Sequence, residues 1–394
     1  MHILILPSEL YCPPKLPLLG IFQRHQAELL SARGEQVGIV SSGQIPWRFL
    51  LEGFPYEARE QSAGLTVFRQ FSWPLLPARF AQNLFRQQVI QRAEALVASY
   101  VATYGRPDVI HAHNCLYGGV VAARFGREAG IPVVLTEHSS TFFTQSFSPG
   151  DLGDIEEVIG AAAAVSAVGS RLAERVASTV PNWGGQCRVL GNLLDPFIEV
   201  QARREVLSSK PSPKAGYTVL AIGALIPVKN HQLLLRAFAT AFRGDVSVRL
   251  RLGGGGPLGS ELWALSGQLG IQSQVEFLGP LTREQVVQEM SQCDAFVSSS
   301  LVETFGVVLI EAMAFGKPVL ATKSGGPQDV VGEGCGRLVD IDVEALSAGL
   351  SAMREESHDP RAIQEQCLGS YGADAFYSKL MALYFLACTD ERIG

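Results

Sequence analysis

The chain has 394 residues, 47% hydrophobic and 18% charged, a balance that suits two globular domains and excludes a disordered chain. Its net charge of −6, with no basic excess in either half, excludes the usual electrostatic footprint of a nucleic-acid binder. Seven cysteines, an odd number with no C-x-x-C spacing, point to a reducing cytoplasm rather than a disulfide framework.

The N-terminus, His2–Leu6, is a short apolar run without a preceding basic region, so it reads as a first strand and not as a signal peptide. A loop, Pro13-Pro14-Lys15-Leu16-Pro17, leads to Gly20, where a helix carrying Phe22, Gln26, Leu29 and Leu30 begins, and Gly34 closes it before the strand Val37–Val40. Gly20 is either a close-approach point for a ligand or a simple helix-start glycine. Beyond it lie a strand at Leu65–Phe68 and the aromatic residues Trp47, Phe49, Phe54, Phe71 and Trp73. A long amphipathic helix spans about 78–103, with Phe80, Leu84, Val89, Ala93 and Val97 on one face. Core packing accounts for these aromatics, with an acceptor groove or a membrane contact as the other use.

Asp108–His113 is a buried strand with a polar tip, a helix follows over 118–129, and Ile131–Thr136 is a further strand ending in Glu137-His138-Ser139-Ser140-Thr141. His113 and His138 therefore sit at strand C-termini, where open α/β sheets bind ligands. Ala163–Val168 and Arg188–Leu190 complete a first sheet, and residues 199–216, polar, charged and proline-bearing, read as a linker.

The second half repeats the grammar. Strands at Thr218–Ile222, Val246–Leu252 and Val275–Leu278 alternate with helices at His231–Ala241, 258–269 and 282–291. The run Gly253–Gly256 lacks both a following Lys-Ser/Thr and a GxGxxG pattern, so it reads as a flexible turn. Ala295–Val297 is a strand, Ser298–Ser300 a loop, and a helix runs from Gly306 to Gly316-Lys317-Pro318. Gly336–Val339 is a short strand, and helices fill 342–353 and 360–387. The Asp340-Ile341-Asp342 pair reads as a solvated helix start, and no His/Cys/acid cluster has ligand spacing, so no catalytic metal is expected.

Two glutamates flank the start of the helix after Ser298–Ser300. Glu303 precedes it, Glu311 lies within it, and the backbone amides of Phe305, Gly306, Val307 and Val308 are a natural phosphate cradle. A lone E-x7-E would equally suit two surface acids. The whole string S-x4-E-T-F-G-x4-E-A-M-A-x-G-K-P-V, however, resembles the donor-site signature of the retaining family-4 glycosyltransferases of the GT-B fold. That resemblance implies two Rossmann-like α/β domains facing across a cleft: 1–196 for the acceptor, 200–370 for the nucleotide sugar, and a C-terminal helix, 371–394, packing back on the first domain.

It also implies roles. Glu311 would hold the ribose, Glu303 the sugar hydroxyls, and Lys229 the diphosphate, although Lys229 alone could be solvated surface. Gly20 would face the donor phosphates. His138, in a T-E-H-S-S-T string similar to the family segment, would lie beside the anomeric carbon, with His113 in support. Family members carry an arginine where this chain has Ala224, so one phosphate clamp is missing. The expected activity is metal-independent transfer of a sugar, with retention, from a nucleotide-diphosphate donor to a glycan or lipid-linked glycan in bacterial surface polysaccharide or glycolipid assembly. No cofactor is expected, the nucleotide sugar being a substrate. The expected setting is the cytoplasm, with peripheral contact at the inner membrane face left open. A nucleotide-sugar epimerase-hydrolase and a non-catalytic relative are the rival readings.

Overall fold

Alternating apolar runs and helical patterns fold here into two separate sheets, one mainly and one wholly parallel. The computed structural model describes residues 1–8, 11, 19–44, 57–62, 64–72, 78–208 and 216–389. The chain divides into two compact units, Met1–Leu193 with Phe376–Gly394, and Leu194–Ala375.

In the first unit, β1 (His2–Pro7) is buried along its whole length, as expected of a parallel strand covered on both faces. The elements that follow are α1 (Ile21–Ala32), β2 (Gln36–Gln44), β3 (Glu57–Ser62), β4 (Leu65–Ser72), α2 (Ala78–Tyr104), β5 (Val109–His113), α3 (Val120–Ala129) and β6 (Val133–Glu137). Then come α4 (Thr141–Thr144), α5 (Pro149–Ala161), β7 (Ala164–Ala167), α6 (Ser170–Thr179) and β8 (Cys187–Val189). The strand order is β3-β4-β2-β1-β5-β6-β7-β8, with only β3 and β4 antiparallel. Chain order reverses between β1 and β5, which makes the C-terminal ends of those strands the ligand-side switch point of this sheet. Helix α5 was not anticipated from the sequence. Its start is nevertheless a capping box, Ser148 with Asp151, and Pro149 occupies the first turn, where its missing N–H costs nothing.

The second unit opens with α7 (Pro196–Ser208), which corrects the expected linker at 199–216. Asp195 accepts from the backbone amides of Phe197 and Ile198, at 2.8 and 3.4 Å, and so starts the helix. Ile198, Ala202 and Val206 recur every fourth residue and are buried. The charged residues between them hid a one-sided apolar face.

Next come β9 (Tyr217–Ile222), α8 (His231–Phe242), β10 (Val248–Gly253), α9 (Gly259–Gln268), β11 (Val275–Gly279), α10 (Arg283–Gln292) and β12 (Ala295–Ser298). The unit continues with α11 (Val307–Ala314), β13 (Val319–Thr322), α12 (Pro327–Val330), β14 (Gly336–Val339), α13 (Val343–Glu355) and α14 (Pro360–Tyr371). The sheet is wholly parallel, ordered β11-β10-β9-β12-β13-β14, and its switch point lies between β9 and β12. Its core gathers Leu234, Leu235 and Phe238 of α8 with Leu250, Leu262, Leu346 and Leu350.

The helical stretch expected over 360–387 is made of two helices, α14 and α15 (Ala373–Thr389), broken at Gly372. Gly372 adopts an extended conformation, and a Cβ there would meet the Leu368 carbonyl oxygen at 2.7 Å. From Phe376 onward α15 belongs to the first unit, where Tyr384 reaches His111.

Of the aromatic residues singled out above, Phe71 is a buried core residue, and Trp47, Phe49, Phe54 and Trp73 lie outside the described residues, as does the 13–17 loop. No helix among the described residues is long and apolar enough to cross a membrane.

Candidate active site

In the second unit, three strand-to-helix loops are tied together at the switch point. The loop after β9 runs through Ala224 to a short turn, Pro227–Lys229, and then to Asn230 in the left-handed region, φ 49°. The loop after β12 holds it in place. Ser299 Oγ donates to the carbonyl oxygens of Lys229 and Asn230, at 3.0 and 3.1 Å, and the Leu301 amide donates to Val228 at 2.8 Å. The loop after β13 closes on the same segment, because the Glu303 amide donates to Ser324 and the Gly326 amide donates to Glu303. Gly326 has no room for a side chain, since a Cβ would fall 2.2 Å from the Phe305 Cα.

This lashing carries Lys229 and Glu303 to each other, and their side chains form an ion pair. Immediately beside it α11 begins at Gly306, φ 97°, with no side-chain cap. The amides of Phe305, Gly306, Val307 and Val308 have no hydrogen-bond acceptor among the described residues. Uncapped amides, a helix dipole and a lysine together make a site for a polyanion.

The glycine run after β10 is not a flexible turn. Gly223 and Leu225 donate to Gly253 and Gly255, both at 2.9 Å, and Gly254 donates to Gly279 at 2.8 Å. A Cβ on Gly254 (φ 137°) would fall 1.9 Å from the Gly223 oxygen, so glycine serves backbone approach here, not mobility. Alongside it, a hollow of about 410 Å³ is lined by Leu225, Gly254, Gly259, Trp263, Phe277 and Gly279.

Glu311, the fifth residue of α11, is half-buried, and its carboxylate takes no hydrogen bond among the described residues. Desolvation, reinforced by the negative charge of Asp195, pushes its pKa up to about 8, and Arg283 opposes the rise. Asp195 and Arg283 are themselves an ion pair, with the Arg283 guanidinium 5.0 Å over the Phe197 ring. A half-buried carboxyl group of raised pKa, without a hydrogen-bond partner among the described residues, is the pattern of a ligand-binding acid.

The first unit presents three imidazoles at the tips of β5 and β6. His113 Nδ1 lies 2.9 Å from His138 Nε2, with the rings stacked at 5.1 Å, and the His111 ring is 4.3 Å from that of His113. Burial holds the pKa of His111 down to about 3 and that of His138 to about 4, although an Asn192 hydrogen bond raises the latter. His113 is likewise held well below the usual histidine value by burial and by its two histidine neighbours. At neutral pH all three are uncharged.

Around them the backbone is strained. Asn114 (φ 68°, ψ 148°) and Tyr117 (φ 61°, ψ −80°) both occupy conformations unfavourable to a side chain. The cost is offset locally. Asn114 Oδ1 accepts from the His138 amide at 2.9 Å, and the buried Glu137 carboxylate accepts from the amides of Cys115, His138 and Ser139 at 2.8–3.0 Å. Gly20, φ 71°, starts α1 without a side-chain cap, a conformation that explains the glycine.

The structure therefore brings Lys229, Glu303 and the amides of Phe305–Val308 into one constellation, with Glu311 further along the same helix. His138 and Gly20 belong to the other unit. Sequence reasoning did not single out Asp195, Arg283, Asn114, Asn192 or Glu137. Asp195 before Pro196 was a legible helix cap, but the strain at Asn114 leaves no sequence signal. Of the expected metal readings, Asp340 pairs with Lys323 at 2.8 Å and Asp342 caps α13 through the Ala345 amide, so both acids have structural partners.

Two family models match the chain in succession, "Glycosyl transferase 4-like domain" over residues 19–192 and "Glycosyl transferases group 1" over residues 203–367. The chain belongs to the family-4 glycosyltransferases of the GT-B fold. Among curated proteins it is similar to D-inositol 3-phosphate glycosyltransferase 1 of Catenulispora acidiphila, 28% identical over 66% of this chain and 63% of that one, so it spans less than two thirds of that relative's length. It is also similar to the D-inositol 3-phosphate glycosyltransferase of Acidothermus cellulolyticus, 29% identical over 84% and 76% of the two chains. Among solved structures it shares its fold with a sucrose-phosphate synthase from Thermosynechococcus elongatus, at a TM-score of 0.71, 22% identity and 98% coverage of both chains. Anabaena HepE in complex with UDP and glucose matches at a TM-score of 0.66, with 21% identity and coverage of 97% and 98%.

Proposed function

We propose that this chain is a retaining glycosyltransferase that moves a sugar from a nucleotide-diphosphate donor to an acceptor hydroxyl. The observation that carries the reading is the Lys229–Glu303 pair beside the unbonded amides of Phe305–Val308 at a switch point. A diphosphate takes the amides and Lys229, which charge-assisted bonds make the strong contacts. Glu303 is then released to the sugar hydroxyls. Glu311, without a partner of its own, takes the ribose hydroxyls, and the flat hollow at Trp263 suits the base. The missing guanidinium at Ala224 leaves the phosphates to Lys229 and the helix amides.

The first unit takes the acceptor and carries His138. As an uncharged imidazole with a depressed pKa, His138 is poorly suited to hold the acceptor proton. The reading is therefore same-face displacement. The bond from the anomeric carbon to the phosphate oxygen breaks, the acceptor oxygen bonds to that carbon on the same side, and the departing phosphate oxygen takes the acceptor proton. Gly20 faces the donor phosphates. Transfer needs no metal and no cofactor, because Lys229 and the helix amides supply the positive field. The acceptor is a lipid-linked glycan of surface polysaccharide or glycolipid assembly, reached in the cytoplasm or at the inner membrane face. The names of the relatives put an inositol phosphate beside it as an acceptor to test.

The experiment is a panel of UDP-, GDP- and ADP-sugars, labelled in the sugar, incubated with and without lipid-linked and inositol phosphate acceptors. Acceptor-dependent transfer with the anomeric configuration kept supports the proposal. Free sugar released at the same rate without any acceptor would instead identify an epimerase-hydrolase, and no turnover together with nucleotide-dependent thermal stabilisation would identify a binding relative.

A further inference from the structure

His113 stands between two histidines, and its hydrogen bonds decide which ring nitrogen of each carries a proton. His111 is fixed first. The Gln26 side-chain amide nitrogen, which can only donate, is 2.9 Å from His111 Nδ1, so that nitrogen is an acceptor. His111 Nε2 then carries the proton and donates to Thr136 Oγ1 at 2.8 Å, which continues to Ser166 Oγ at 2.8 Å.

The His113–His138 contact at 2.9 Å joins Nδ1 of the first to Nε2 of the second, and two neutral rings share one proton across it. If His138 donated, His113 would carry its own proton on Nε2. That atom is buried and has no hydrogen-bond partner among the described residues, so an N–H would be stranded there. Stranded buried N–H groups are rarer and more costly than an unused acceptor lone pair. In the opposite sense, His113 Nδ1–H donates to His138 Nε2. His138, accepting on Nε2 as a neutral ring, then holds its proton on Nδ1. No N–H is then stranded on His113, whose Nε2 is left as an unused lone pair among the described residues.

We infer that His113 is a positioning residue which locks His138, by an Nδ1–H to Nε2 hydrogen bond and ring stacking, as the Nδ1–H tautomer. His138 then meets a substrate as a fixed, uncharged ring and not as a base. The catalytic consequence rests on the proposed placement of His138 at the reacting carbon, whereas the tautomer does not.

The test is a long-range ¹H–¹⁵N NMR spectrum of the full chain labelled in the histidine rings, without substrate. His138 and His113 are expected as Nδ1–H tautomers and His111 as Nε2–H in the same spectrum. In His113→Leu, the His138 Nε2 resonance should move toward that of a lone pair with no donor, or His138 should transfer its proton to Nε2. His113→Asn, whose amide nitrogen falls near the Nδ1 position, should keep the parent pattern. A parent spectrum with the proton on His138 Nε2, or a His138 Nε2 resonance unmoved in a folded His113→Leu, overturns the inference. If the leucine variant does not fold by thermal melting, the parent tautomers and the asparagine variant decide. In transfer assays with whichever UDP-, GDP- or ADP-sugar turns over, His113→Leu should lower kcat about 10- to 100-fold with donor KM unchanged, and His113→Asn should recover most of it. Tautomers as stated with no change in kcat would uphold the positioning and refute the placement of His138 at the reacting carbon.

Discussion

The two units use one grammar, a parallel sheet with loops at strand C-termini on either side of a switch point, yet they treat polar groups in opposite ways. In the first unit the polar groups around His111 and Glu137 are committed to one another. His111, Gln26, Tyr384, Thr136 and Ser166 form a closed network, and Glu137 is saturated by three backbone amides. In the second, among the described residues, Glu311 has no hydrogen-bond partner, the four amides of Phe305–Val308 have no acceptor, and Lys229 and Glu303 have each other. A network that satisfies itself fixes geometry. Unsatisfied groups, and a pair that a stronger charge can separate, are what a ligand can use. The same fold thus provides a rigid half and a receptive half.

The strongest way to break this contrast is to remove the receptive charges. Lys229→Gln and Glu303→Gln should each lower kcat by about 10²–10³-fold, since each acts where charge develops in the transition state. Because the two side chains pair with each other, the double variant should lose less than the product of the single losses. Steady-state kinetics with a saturating acceptor measure this. Strictly multiplicative losses would mean that the pair is incidental, and unchanged kinetics would mean that this is not the donor site.

Glu311 sharpens the comparison at a smaller scale. It is read as touching the ribose, which does not change during transfer, so Glu311→Gln should raise donor KM and leave kcat nearly intact. A hydrogen bond between a charged acceptor and a neutral hydroxyl is worth about 1.5–3 kcal/mol, or roughly 10- to 150-fold. A loss in kcat with KM unchanged would exchange the assignments of Glu303 and Glu311.

The receptive half was also the more legible one. The E-T-F-G-x4-E string, the Gly306 start and Lys229 are contiguous motifs whose chemistry follows from being just before or just inside a helix. The rigid half was legible as strands and not as a network. His111, Thr136 and Tyr384 are up to 273 positions apart, and nothing local says that a C-terminal helix tyrosine meets a β5 histidine. The same reason explains the glycine run after β10. Its purpose is a backbone approach to Gly223 from thirty-one positions away in sequence, which looks like flexibility until the neighbouring strand is known. At 199–208, charge density masked a helix whose apolar stripe is only one residue wide per turn. His138 was singled out through its segment with His113 in support, whereas the contact between the two rings, at 2.9 Å, needed the structure.

Acidity should separate the two halves by the sign of the response. His111 and His138 have folded pKa values of about 3 and 4, below the unfolded value of 6.5, so the unfolded chain binds more protons between those limits. Their contribution is fully present above pH 6.5 and is lost as pH falls below it, about 2 kcal/mol each by pH 5. His2 and His113 act in the same direction, while Glu137, with its pKa raised by burial, works against them. Glu311, raised to about 8, has the opposite sign to the histidines. It destabilises the second unit as pH rises from 4.5 through 8. His231 there adds a contribution of the first kind, and the lowered carboxyls of Asp245, Glu284 and Glu356 act in the same direction only at pH below the ordinary carboxylate range. Hydrogen exchange resolved by segment, corrected for intrinsic rate, should show β5 and β6 losing protection between pH 7 and 5. Over the same interval α11 should hold or gain. Equal losses in both segments would end the contrast.

The smallest expected effect is none at all. If the positive field comes from Lys229 and the amides of Phe305–Val308, chelation by EDTA should leave transfer rates unchanged, and added magnesium or manganese should not raise them. The acids that could most readily recruit a cation by spacing are already used. Asp340 holds Lys323 and Asp342 holds the start of α13. Among the described residues no three His, Cys, Asp or Glu side chains converge as ligands. A cation would therefore have to be held largely by the donor's own phosphates, as magnesium often is. Turnover abolished by EDTA and restored by magnesium would show that it is, and would reduce Lys229 from the main phosphate charge to an auxiliary one. In that case the Lys229→Gln loss measured above should shrink as magnesium is raised, because one cation would substitute for the other. Independence of the two, with the lysine loss constant across all metal concentrations, is the result that the ion pair and the uncapped helix start require.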